Sequence, residues 1–172
     1  SEINATELVA ILISQGNTIK EGIEYAQSKI KGSCSMLILT DHAIYAARDK
    51  FGRTPIIIGR NDKGYVCATE SSSFDNLGYN YVKDLGPGEI VRMSADGLLQ
   101  VAEPKERKQV CAFMWVYYGY PSACYEGINV EESRYRCGAA MAKRDVGLQP
   151  DFAAGIPDSG VGHAVGYSNE MG

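Results

Sequence analysis

The sequence predicts an α+β fold, two helices followed by an antiparallel sheet, which then runs into the start of an α/β fold. Three observations predict it. Apolar residues recur at helical spacing between Asn4 and Ile30. From Ser33 the period shortens, and apolar runs of strand length alternate with turns rich in Gly, Pro, Asn and Asp up to about residue 100. Beyond residue 109 a strand-length run, a helical pattern, a second run and a second helical pattern follow one another, the order of a parallel sheet with helical crossovers.

The first helix covers Asn4 to Ile13, with Leu8, Ile11 and Leu12 on one face, and Gly16-Asn17 ends it. Thr18-Ile-Lys-Glu21 is a capping box in which Glu21 reaches back to the Thr18 amide. Ile19, Ile23, Ala26 and Ile30 make the buried stripe of a second helix that stops at Lys31-Gly32. Strands are expected over Ser35–Thr40 and Ala43–Ala47 around Asp41-His42, and over Pro55–Gly59 and Tyr65–Thr69 around Asn61-Asp-Lys-Gly64. Tyr81–Leu85 and Glu89–Met93 follow around Gly86-Pro-Gly88, completing a meander with helices on one face, and Ala95-Asp-Gly97 makes a further turn. Ala102 to Lys108 is charged, contains Pro104 and has no period, which reads as a linker. After it come an aromatic-rich strand (Val110–Tyr118), a loop to Gly127, and a helix from Asn129 to about Arg144. Glu131 and Glu132 begin that helix and Lys143 and Arg144 end it, matching its macrodipole. A short buried strand (Phe152–Ile156), a tight loop (Pro157–Gly160) and a last helix to Gly172 close the chain, and this pattern expects further strands beyond it.

At 172 residues the chain can hold one sizeable core or parts of two. A hydrophobic content of 45% and a charged content of 22% are those of an ordinary globular protein. The formal charge of −4 speaks against nucleic acid as a partner but leaves room for a local anion site. No apolar run reaches membrane-spanning length and Ser1 begins no signal peptide, so a cytoplasmic protein with no membrane partner is expected. The five cysteines (Cys34, Cys67, Cys111, Cys124 and Cys137) form no Cys-x-x-Cys pair, which fits free thiols in a reducing compartment.

The chemistry concentrates at Pro157-Asp158-Ser159-Gly160. A loop between a strand and a helix points backbone N–H groups at one spot, where the helix N-terminus adds partial positive charge, and this suits phosphate or pyrophosphate. It is not a Walker loop, because the Gly-Lys-Ser/Thr ending is missing. Asp158 and Ser159 equally suit plain helix caps. His163, one turn on, reads as a packing residue, and His42 as a solvated turn residue. Arg53 and Asp49 read as a structural ion pair bracing Gly52, and Trp115 with its neighbouring tyrosines as core.

The ordered motifs carry a family likeness. Asn4-Ala-Thr-Glu-Leu-Val-Ala, Lys31-Gly-Ser-Cys-Ser-Met-Leu-Ile-Leu-Thr40, Arg48-Asp-Lys-Phe-Gly-Arg-Thr-Pro-Ile56, Thr69-Glu-Ser and Leu85-Gly-Pro-Gly-Glu89 resemble successive segments of a class II glutaminase domain. Cys111-Ala-Phe-Met-Trp-Val-Tyr-Tyr118, Arg134-Tyr-Arg-Cys-Gly138 and Ile156-Pro-Asp-Ser159 resemble segments of the phosphoribosyltransferase domain that follows it in amidophosphoribosyltransferase, also called glutamine phosphoribosylpyrophosphate amidotransferase. The likeness covers nearly the whole chain in the right order.

The resemblance implies a two-part fold: α+β, a partial Ntn-hydrolase-like (N-terminal-nucleophile) antiparallel sheet with helices, then α/β, the start of a type I phosphoribosyltransferase parallel sheet. Residues 1–103 would be the second half of the Ntn-type glutamine amidotransferase domain, and residues 109–172 the first part of the phosphoribosyltransferase domain. It implies a parent enzyme, likewise cytoplasmic, that transfers glutamine-derived ammonia to phosphoribosyl pyrophosphate, giving phosphoribosylamine in de novo purine synthesis. Glutamine and phosphoribosyl pyrophosphate would be the parent's small-molecule partners and Mg²⁺ its metal.

By the same resemblance the N-terminal cysteine nucleophile, the glutamine-clamping Arg and the oxyanion-hole Asn-Gly segment fall upstream, and the phosphoribosyl-pyrophosphate loop falls downstream. Ser1 aligns with the middle of the glutaminase domain, and a glutamine-binding Asp would fall at Ala5. Catalytic residues are therefore expected in neither part, and the chain reads as an internal fragment inactive by itself. Pro157, Asp158, Ser159 and Gly160 would form the pyrophosphate-side loop, with Ser159 and nearby amides toward the pyrophosphate and Asp158 organising Mg²⁺. Cys111 stands where some relatives place the first ligand of a [4Fe–4S] cluster, and where others carry a structural cysteine. Exposed edges and apolar faces would favour a homo-oligomer. Two other readings stay open: a stand-alone, non-catalytic phosphate-binding or regulatory module, and a fragment of another class II glutamine amidotransferase.

Overall fold

The structure is a computed structural model and describes residues 4–172; Ser1 lies outside the described residues. The described chain forms two compact units, one of residues 4–69 with Gly78–Val110, the other of Glu70–Leu77 with Cys111–Gly172.

In the first unit α1 (Ala5–Ile13) starts from a complete capping box: the Asn4 side chain accepts from the Glu7 amide, and the Glu7 carboxylate accepts from the Asn4 amide. The second helix, α2 (Ile19–Lys29), departs slightly from expectation. Thr18 accepts from the Glu21 amide as predicted, but the Glu21 carboxylate takes the Asn17 amide, one residue further back. The C-terminal carbonyls of α2, Gln27 and Ile30, are capped by the Lys50 ammonium.

Seven strands follow: β1 (Met36–Leu39), β2 (Ile44–Ala47), β3 (Ile57–Asn61), β4 (Gly64–Ala68), β5 (Asn80–Asp84), β6 (Ile90–Ser94) and β7 (Gly97–Ala102). They build two antiparallel sheets, β1-β2-β6-β7 and β4-β3-β5, rather than the single meander the sequence suggested. The β1–β2 and β3–β4 hairpins form as predicted, with Met36 opposite Ala47 and Ile57 opposite Ala68. The chain leaves one sheet for the other at Gly86-Pro87-Gly88, so β5 and β6 are not partners. That bend is fixed locally. Glu89, fully buried, accepts from the Gly86 amide, the Lys83 ammonium and Gln100, while the Arg48 guanidinium donates to the Leu85 and Gly52 carbonyls.

One face of the four-stranded sheet, through Met36, Ala47 and Ile90, packs on Ile23, Val9 and Ile13 of the helices. The other, through Ala46, Val91 and Met93, packs on Ile58 of the three-stranded sheet and on Ile56 and Leu85, which flank its strands. The unit is thus a helix–sheet–sheet stack, and period-two alternation decides which side chains enter which core. The charged stretch after β7 lies on this unit: the Lys105 amide donates to the Pro87 carbonyl, the Gln109 amide to that of Phe51, and Arg107 sits 5.1 Å over the Phe51 ring. Asp49 does not pair with Arg53 as the sequence suggested. Its carboxylate accepts the backbone amides of Phe51 and Thr54 instead. Burial raises its pKa, but these amides and that of Arg53 more than offset this and hold the carboxyl below its usual range.

The second unit is helical. A short helix, α3 (Ser72–Leu77), leads it, and a two-residue hairpin of β8 (Cys124–Tyr125) and β9 (Ile128–Asn129) turns through Glu126 and Gly127, both at positive φ. The main body is α4 (Val130–Ala142), capped by Asn129, against α5 (Gly160–Met171). Close approach is possible because the facing residues are glycines. A Cβ on Gly138 would sit 1.9 Å from the His163 carbonyl oxygen, and one on Gly166 would sit 2.0 Å from that of Tyr135.

Both strands expected in this part are absent among the described residues. Met114–Tyr118 is a π-helical turn, closed by the Gly119 amide donating to the Met114 carbonyl at 2.8 Å. Phe152–Ile156 is irregular, and Phe152 and Ile156 are 92% and 84% exposed rather than buried. An apolar run becomes a strand only beside a partner edge, and no described strand runs beside either segment. The described residues accordingly contain no parallel sheet.

Candidate functional site

The second unit carries an open cleft of about 870 Å³, lined by Glu70, the Tyr117–Pro121 segment, Arg134, and Pro157, Asp158 and Ser159. Its two walls are built differently.

One wall is the loop the sequence singled out. Gly155 lets the chain double back: a Cβ there would sit 2.3 Å from the Gly160 carbonyl oxygen. The Gly160 amide donates to the Ile156 carbonyl at 2.9 Å and starts α5. Ser159 is the cap residue, yet its hydroxyl makes no capping bond, and the Asp158 side chain is exposed. The plain-cap reading of these two residues is therefore not realised, and both side chains stay available to the cleft. His163 Nδ1 lies 3.0 Å from the Ser159 carbonyl and ties the helix to the loop, a packing role as expected. The loop also contains a cis peptide between Pro157 and Asp158.

The opposite wall was not legible as a site. Arg134, on the inner face of α4, is 2% exposed. Its guanidinium donates to the carbonyls of Trp115 at 2.8 Å, Tyr117 at 3.0 Å and Gly119 at 2.7 Å. These are the carbonyls a helical turn leaves unpaired at its end. Arg134 thereby holds the π turn in place and sets Tyr117, Tyr118 and Tyr120 along the cleft. Trp115 itself is buried core, as expected, in an edge-to-face contact with Tyr125 and with its indole N–H on the Ile128 carbonyl.

Glu70 completes this wall. Its carboxylate accepts from the Tyr125 hydroxyl at 3.2 Å and from the Ser72 hydroxyl. The adjoining Ser71 hydroxyl accepts the Cys124 amide at 2.9 Å. Burial, and then the Glu70 charge and hydrogen bond, push the Tyr125 phenol far above its ordinary range, so its O–H stays a donor. The cleft offers a fixed guanidinium, a free hydroxyl and a free carboxylate, a donor set able to take an anion together with its counter-cation.

Mg²⁺ takes one or two carboxylates and completes its shell with water and phosphate oxygens, and the free Asp158 carboxylate fits that need. Iron–sulfur ligation is different. The Cys111 thiol is exposed, and among the described residues no three His, Cys, Asp or Glu side chains gather as a metal site. These residues do not supply the four thiolates a cluster needs.

An antiparallel-sheet unit with helices, joined to a helical unit whose loop and helix start border an anion-suited cleft, is an arrangement shared with solved enzymes. A structure described as the allosteric regulatory enzyme of purine biosynthesis superposes with a TM-score of 0.89 at 28% identity, covering 99% of this chain and 37% of that one. The glutamine phosphoribosylpyrophosphate amidotransferase of Bacillus subtilis, complexed with ADP and GMP, gives 0.88 at 29% identity, covering 98% and 37%. Curated amidophosphoribosyltransferases match in sequence: that of Archaeoglobus fulgidus is 34% identical over 100% of this chain and 37% of its own length. That of Methanocaldococcus jannaschii is 31% identical over 100% and 40%. No protein-family model matches the chain.

The chain is homologous along its whole length to amidophosphoribosyltransferases, and it spans little more than a third of the length of these relatives.

Proposed function

We propose that this chain serves the reaction of amidophosphoribosyltransferase, in which ammonia from glutamine replaces the pyrophosphate of phosphoribosyl pyrophosphate to give phosphoribosylamine for purine synthesis. The observation that carries this reading is the ordered likeness over the whole chain, ending at the loop whose free Ser159 hydroxyl and Asp158 carboxylate border the cleft. On this reading the first unit belongs to an Ntn-type glutaminase domain, and the second to the start of a type I phosphoribosyltransferase domain. Pro157–Gly160 receives the pyrophosphate end of the substrate, the backbone amides and Ser159 hydroxyl donating to its oxygens, with Asp158 toward the accompanying Mg²⁺. No described helix is long and apolar enough to cross a membrane, which is compatible with a cytoplasmic enzyme.

The isolated 172-residue chain is expected to turn over neither substrate. Assays for glutamate release from glutamine and for pyrophosphate release from phosphoribosyl pyrophosphate test this, and turnover in either one contradicts it. Calorimetry with Mg²⁺ and phosphoribosyl pyrophosphate then separates two cases. Binding without turnover favours a stand-alone phosphate-binding module. No binding leaves a part that needs the rest of the enzyme to complete its site.

A further inference from the structure

We infer that Arg134 is an anion-recognition residue of the cleft, supplying the positive charge that meets the pyrophosphate end of the ligand from the wall opposite Ser159. The inference rests on the reading of Pro157–Gly160 as the pyrophosphate-side loop and extends it to a residue on a different helix.

Arg134 is a cation without a counter-ion. It is almost wholly buried, its bonded partners are the neutral carbonyls of Trp115, Tyr117 and Gly119, and it makes no ion pair with any described residue. Buried charges are normally paired, because the cost of removing them from water is recovered only by an opposite charge or a ligand. The three carbonyls engage Nε and one terminal nitrogen. The other terminal nitrogen has no hydrogen-bond partner among the described residues, and the residue lines the cleft. A guanidinium anchored by one edge and open on the other presents a fixed donor to an anion with little rotamer entropy left to lose.

Two carboxylates share the cleft, and their roles differ. Glu70 has its oxygens engaged by the Tyr125 and Ser72 hydroxyls, whereas Asp158 is free to face a divalent cation carried by the ligand. The ligand class is therefore a metal-chelated diphosphate: its oxygens meet Arg134 and Ser159, and its metal meets Asp158.

The test uses the whole 172-residue chain and inorganic pyrophosphate with Mg²⁺, measured by calorimetry on the wild type, R134K, R134M and S159A. A second measurement needs no variant at Arg134. It follows the Arg134 Nε–H signal by NMR in the arginine-labelled wild type, where the bond to the Trp115 carbonyl slows its exchange. Wild-type binding that weakens about tenfold in R134M and less in R134K, with an Nε–H signal that moves on titration, supports the inference; tenfold is the scale for one hydrogen bond to a charged group. Should R134M fail to fold, the wild-type signal decides alone. Binding weakened by S159A, with an unmoved Arg134 signal or with R134M folded and binding like wild type, overturns the role of Arg134 and leaves the loop reading standing. No binding by the wild type overturns the inference, which requires the cleft of this chain to take the anion by itself, and leaves the loop as one wall of a site that the rest of the enzyme completes.

Discussion

Tyr125 brings its phenol into the interior of the second unit and commits it to a carboxylate. Its ionisation is raised by burial first and by Glu70 second, so its proton is held in the folded state well beyond the pH at which an unfolded tyrosine loses it. The sign follows from linkage. Below about pH 10, the ordinary tyrosine value, both states are protonated and Tyr125 contributes no pH dependence. Above it the folded state binds more protons than the unfolded state, and stability falls as pH rises. Tyr125→Phe should flatten this alkaline limb in urea titrations between pH 9 and 11, a window around that ordinary value, while costing about 1 kcal/mol at neutral pH through the lost bond to Glu70. An unchanged alkaline limb would contradict it. Arg134 shows what a residue-level reading of sequence can and cannot reach. Val130, Arg134, Gly138 and Ala142 are the buried positions of α4 and recur every fourth residue. An arginine on an otherwise small and apolar stripe is a signal readable in the sequence. Which carbonyls it would bind was not, because they belong to a turn whose helical form no local pattern announces.

At the scale of elements, α1, α2, α4 and α5 were legible, whereas α3, the π turn at Met114–Tyr118 and the want of both expected strands in the second unit were not. The starts of α1, α2 and α4 at Asn4, Thr18 and Asn129 are set by local capping chemistry, and each helix begins within a residue of its expected place. Val110–Tyr118 and Phe152–Ile156 carry the composition of buried strands, but a strand is completed by a neighbour, and composition does not say whether one is at hand. The two antiparallel sheets are a milder case. Their hairpins follow from turn residues, whereas the passage between sheets at Gly86–Gly88 depends on long-range bonds from Arg48 and Glu89. The α4–α5 contact gives a prediction at this scale. Gly138→Ala or Gly166→Ala would drive a methyl into a backbone carbonyl, which no side-chain rotation can relieve. Each should destabilise the second unit by about 1–3 kcal/mol, the usual range for overpacking. The double variant should fall short of the sum, because the first substitution already separates the helices. Urea denaturation followed by Trp115 fluorescence reads both effects, and a neutral Gly138→Ala would contradict the packing described.

For the molecule as a whole, β1 is an edge strand of its sheet, and Leu37 and Leu39 point outward from it, Leu39 being 80% exposed. An unprotected apolar edge favours pairing between copies. Sedimentation velocity over a concentration series should show a dimer or larger species, and Leu39→Lys should shift it toward monomer. A monomer at every concentration would contradict this.

The segment Glu70–Leu77 has a consequence of its own. It is numbered with the strands of the first unit but packs with the second, so the boundary is crossed at Thr69–Glu70, Leu77–Gly78 and Val110–Cys111. Anyone exchanging modules between relatives would be tempted to cut once, after Val110. Such a chimera would leave the native Glu70 and Ser71 behind and pair Tyr125 and Cys124 with foreign residues, so a wall of the cleft would be inherited from the wrong parent. A transplant that respects the physical unit must move two pieces of sequence together, and a lineage that recombined freely at residue 110 would have to keep residues 70–77 compatible on both sides.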